Sequence, residues 1–136
     1  MVFRDFKGSI LYSATHHHAC LDPTAAECIA IFEACKVLAN KSISKAIIES
    51  DCLNVISFIL GGSSSCCWSA QATIDDIKNL LKCWPAWSFR FVPRNSNGAA
   101  HALAKWVDCN FEGFVPLNQI HVTVFCDIDY PIVEPF

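Results

Sequence analysis

The feature that most constrains this chain is the succession of local signals between Asp22 and Val92. Asp22-Pro23-Thr24 is a helix start, with Pro23 tolerated in the first turn and Thr24 standing three residues ahead of Glu27 in capping-box spacing. The helix runs to about Ala39, with Ala26, Ala30, Ala34, Val37 and Leu38 at helical spacing, Ile29 and Phe32 flanking, and Asn40-Lys41 as the stop. Lys45 to Ser50 reads as a short strand that ends at Asp51. Helices follow over Cys52 to Leu60 and Ala70 to Cys83; Gly61 to Ser65 end the first, Ile74, Ile77, Leu80 and Leu81 stripe the second, and Pro85 closes it. Ser88 to Val92 alternates as a strand, Pro93 to Gly98 is a loop, and Ala99 to Val107 is a last helix. Strand-helix-strand crossovers demand parallel neighbours, so the fold class is α/β. Such sheets place their chemistry beyond the carboxyl ends of the strands, where Asp51 and the loop after Val92 both fall.

Ahead of this unit, Val2-Phe3 and Ser9 to Ser13 form a hairpin around a turn at Asp5-Phe6-Lys7-Gly8. With 136 residues, 53% apolar and 17% charged, the chain has material for one core and too little charge for disorder. No apolar run approaches the roughly 18 residues of a membrane span, and the first twenty residues lack the layout of a secretory signal. The expectation is a protein of the nucleus or cytoplasm, with no membrane partner. Nine cysteines without C-x2-C or C-x4-C spacing offer no zinc ribbon, and the thiols read as reduced. Cys28 and Cys35 share a helix face and read as core. His16, His17 and His18 alternate faces and read as a solvated or phosphate-facing run; Trp84 and Trp87 read as sheet-capping aromatics, with nucleotide stacking as the alternative.

Net charge is −3, which argues against a strongly basic nucleic-acid clamp. The total hides an asymmetry: residues 1–109 carry ten bases and nine acids, whereas 110–136 carry four acids and no base. A near-neutral body still binds phosphates if its few bases converge.

Three segments carry chemistry: Thr24-Ala25-Ala26-Glu27, Ile48-Glu49-Ser50-Asp51, and Arg94-Asn95-Ser96-Asn97-Gly98-Ala99-Ala100-His101-Ala102-Leu103-Ala104-Lys105. Their order and spacing over about residues 2–109 resemble the plant family of ribonuclease H-like domains, the type-1 ribonuclease H fold related to the one fused to reverse transcriptases. There an A-E pair on a helix, a strand ending in E-S-D, and a final R-x-x-N-x-x-A-(D or H)-x-L-A helix recur. The resemblance implies a mixed sheet flanked by helices and a site where four carboxylates hold two magnesium or manganese ions about 4 Å apart across a scissile phosphate. Glu27 and Asp51 match the second and third acids and His101 the fourth position, so these three are the implied catalytic residues, with Glu27 and Asp51 the implied metal-holding pair; Arg94 and Asn97 are the implied nucleic-acid contacts. The implied substrate is an RNA–DNA hybrid, with double-stranded RNA as a related partner, read by backbone shape and the 2′-hydroxyl.

Two departures follow. The family's first strand, with its D-G-A aspartate, should precede Val2, so the first strand and first acid are expected to be missing. His101 stands at the fourth acid's position, and imidazole is a poor magnesium ligand. Impaired hydrolysis is therefore expected, and the alternative is a non-catalytic nucleic-acid or protein interaction module on the same scaffold. A chain left with exposed edges around a central gap should aggregate. Beside these readings stand plainer ones: Glu27 as the partner of Thr24 in a capping box, Asp51 as the N-cap of the next helix, His101 as a packed histidine, and Arg94 as a surface residue.

Residues 1–109 thus read as a ribonuclease H-like domain and 110–136 as an acidic, strand-prone extension. Ile120 to Cys126 is β-branched and runs into Asp127-Ile128-Asp129, the character of the missing strand. Two placements follow: a peripheral or solvated tail, favoured because insertion needs a connection across the domain, or insertion beside residues 45–50 with Asp127 or Asp129 turned toward Glu27 and Asp51.

Overall fold

The computed structural model describes residues 1–5, 10–13, 22–61, 68–97 and 120–124. The hairpin forms as expected from strands β1 (Val2–Arg4) and β2 (Ile10–Ser13), paired antiparallel. Helix α1 (Pro23–Asn40) leads to strand β3 (Ala46–Ser50), helix α2 (Leu53–Ile59), helix α3 (Trp68–Cys83) and strand β4 (Trp87–Phe91). A short 3₁₀ turn, Arg94–Asn97, occupies the segment read as a loop. A fifth strand, β5 (Ile120–Val124), comes from the tail. The expected helix at 99–107, His101, the three histidines at 16–18, and Asp127 and Asp129 lie outside the described residues.

Capping differs from the sequence reading. Asp22, not Thr24, is the N-cap of α1: its carboxylate accepts from the Thr24 backbone N–H at 3.0 Å, with Pro23 in the first turn. Thr24 is thereby already the second residue of the helix, so it is not the N-cap of a box with Glu27. At the other end Ser42 takes φ of 54°, and the N–H groups of Ser42 and Ile43 donate to the carbonyls of Ala39 and Leu38. That is a Schellman ending, placed after the Asn40-Lys41 stop.

The sheet order is β2-β1-β5-β3-β4. Strands β3 and β4 are parallel, as the crossover rule requires. Strand β5 lies between them and the hairpin, antiparallel to β1 and parallel to β3. The tail is thus not peripheral: it fills the centre of the sheet, pairing with β3 from Ala46–Ile120 to Ser50–Val124. An apolar strand in that gap satisfies two otherwise open ladders, and this outweighs the long connection.

Alternation along the strands divides the sheet. Phe3, Ala46, Ile48, Ser50, Trp87 and Phe89 are buried toward the helices. Helix α1 packs on α3 and reaches β5 and β3, while α2 packs on β4. The buried face of α1 is Cys28, Ile31, Cys35 and Leu38 with Ala34, one position round from the stripe read from spacing. This helix is apolar on most sides, so spacing does not select the face; the sheet does. Cys28 and Cys35 are fully buried free thiols, as expected. The rings of Trp84 and Trp87 stack on each other at 5.3 Å, and the Trp87 indole N–H donates to the Ile43 carbonyl at 2.8 Å. Trp87 is therefore committed to the core and its own neighbours.

A carboxylate pair at the end of the third strand

Strands β3, β4 and β5 all run the same way, so their carboxyl ends meet at one edge: Ser50 lies opposite Phe91 on one side and Val124 on the other. The Val92 N–H extends the ladder by donating to the Ser50 carbonyl at 2.9 Å. Every described sequence candidate belongs to an element that reaches this edge.

Glu27 lies one turn into α1, on the face turned to the sheet, and is only 3% exposed. Its carboxylate accepts a short hydrogen bond from the hydroxyl of the fully buried Ser50. The same hydroxyl accepts from the Cys52 backbone N–H at 3.1 Å, so one side chain joins α1, the end of β3 and the start of α2. Burial of a carboxylate is tolerable when such donors meet it. Asp51 follows directly and is half-buried. It is not the helix N-cap: Cys52 holds that position, and its backbone N–H donates to the Ser50 hydroxyl. Burial pushes the Cys52 thiol upward, the Val55 N–H opposes this, and the charges of Glu27 and Asp51 both raise it further.

Arg94, exposed, opens the 3₁₀ turn two residues beyond Val92, at the same edge, and Asn97 closes that turn. Sequence reading missed Glu49. It lies on the other face of β3, 2% exposed, with its carboxylate 2.6 Å from Arg90 of β4 and 3.2 Å from Arg4 of β1. Alternation along Ala46 to Ser50 was the available signal: it sets Glu49 opposite in facing to Ile48.

A two-ion phosphodiester site needs several hard oxygen donors around each cation. Glu27 and Asp51 are of the right type. Among the described residues no three of His, Cys, Asp and Glu converge to hold a metal ion. Nor is any described helix long and apolar enough to cross a membrane.

A mixed five-stranded sheet with helices packed on it is the architecture of a ribonuclease H-like domain. The reverse transcriptase-like family matches residues 1–107, and the chain belongs to that family. Among solved structures, the crystal structure of RNase H1 from the halophilic archaeon Halobacterium salinarum NRC-1 is similar in fold, with a TM-score of 0.70 over 76% of this chain and 79% of that one at 22% identity. No curated protein matches the chain significantly.

Proposed function

We propose that this chain is a nucleic-acid-binding ribonuclease H-like module that takes RNA–DNA hybrid or double-stranded RNA through backbone and 2′-hydroxyl contacts, with hydrolysis weak or absent. The observation that carries the reading is the Glu27–Ser50 hydrogen bond beside Asp51 at the carboxyl edge of the sheet. It gives the edge the acids of the family pattern, yet ties one of them into the fold. Proteins of the ribonuclease H family generally work with divalent ions, and Glu27 and Asp51 are the residues here that would hold magnesium or manganese. Binding does not depend on them. Arg94 contributes a planar guanidinium suited to a phosphate, Asn97 a second polar contact from the same turn, and His101 stands where the family pattern allows an acid or histidine. The domain unit in this reading runs through β5, since the sheet is incomplete without it.

The test is paired. Binding of a labelled RNA–DNA hybrid is measured by anisotropy against a DNA duplex, and cleavage of the same hybrid is followed with magnesium and with manganese. Hybrid preference with little cleavage is expected. Robust cleavage abolished by EDTA and by Asp51→Asn overturns the impaired reading; equal, weak binding to every duplex favours the alternative of a protein interaction module.

A further inference from the structure

We propose that the Arg4–Glu49 ion pair is a clasp that closes over β5 and holds the C-terminal strand in the centre of the sheet. Arg4 belongs to β1 and Glu49 to β3, and these strands are not neighbours: β5 lies between them and pairs with both. In register, Arg4 stands across from His121, while Glu49 stands across from Thr123. The guanidinium therefore passes over the backbone of β5 between those two rows, bridging two strand spacings, about 10 Å. It does so on the face away from α1 and α3, because Phe3 and Ile48, the alternate residues, are buried among the helices.

The two arginines do different work. Arg90 is on β4, adjacent to β3, and its 2.6 Å contact orients the Glu49 carboxylate without crossing another strand. Arg4 contacts both carboxylate oxygens, at 3.3 and 3.2 Å, and is the arm that spans β5. The described helices back the sheet on one side, and the clasp confines β5 on the other. Since β5 ends beside Ser50, its retention decides whether the strand carrying Ser50 and Asp51 has a partner on each side. This inference does not rest on the proposed nucleic-acid function.

Hydrogen exchange of the full chain, read by mass spectrometry over residues 120–124, tests it. Arg4→Ala should speed exchange in that segment about tenfold while β3 and β4 amides facing each other change little; Arg90→Ala should change it less than about threefold, and Arg4→Lys should restore part of the protection. In the unmodified protein, raising NaCl from about 0.05 to 1 M should speed exchange in the same segment, and Arg4→Ala should remove that salt response. Equal acceleration by both arginine variants, no acceleration by Arg4→Ala, or a salt response that survives Arg4→Ala would overturn the clasp.

Discussion

The Ser50 hydroxyl donates to the Glu27 carboxylate, so the last residue of β3 holds the first helix by a buried charged acceptor. Removing that donor leaves the carboxylate short of a hydrogen bond and also strips the acceptor from the Cys52 N–H. Ser50→Ala should destabilise the fold by about 2 kcal/mol. A urea titration followed by circular dichroism reads this as a lower midpoint at unchanged slope; a midpoint equal to the parent's would show that the bond contributes nothing net.

Ser42 holds a left-handed backbone at the end of α1, with φ of 54°, and its side chain is exposed. Glycine adopts that conformation without a Cβ clash. Ser42→Gly should therefore stabilise the protein by about 0.5–1 kcal/mol, a small upward shift in thermal midpoint. A downward shift would mean that the serine side chain makes a stabilising contact there.

Burial pushes the Cys35 thiol from its ordinary 9.0 up to about 12. Between those values the unfolded chain gives up a proton that the folded chain keeps, so the folded state binds more protons. The contribution of this group is whole below pH 9 and declines as pH rises toward 12. Cys35→Ala should lower stability at neutral pH through the lost packing and flatten the alkaline fall relative to the parent. Denaturant midpoints at stepped pH for both proteins measure the difference, and parallel curves would count against the assignment.

Arg94 at the carboxyl edge should act on nucleic acid through charge. Arg94→Ala should weaken hybrid binding by a similar factor for any sequence and lower the slope of log affinity against log salt by about 1. Anisotropy titrations at several salt concentrations provide the slope. A sequence-dependent loss, or an unchanged slope, would place Arg94 away from the phosphates.

Much of this protein is settled by local sequence. The hairpin around residues 2–13, the helix opened by Asp22-Pro23, and the strands ending near Ser50 and Phe91 all form where short-range periodicity and turn chemistry place them. The parallel pairing of β3 and β4 follows from the crossover between them. Glu27 and Asp51 are singled out by the family resemblance of the motifs around them. Their surroundings are not read that way. Thr24 and Glu27 have capping-box spacing, yet Asp22 caps the helix and Glu27 turns to Ser50, a residue distant in sequence. The face α1 buries is likewise set by the sheet, because a helix apolar on most sides carries no preference of its own. The place of residues 120–124 is decided entirely by tertiary structure. An isolated β-branched segment carries no address; unsatisfied backbone groups on β1 and β3, and the apolar gap between them, provide one only once the rest of the sheet exists.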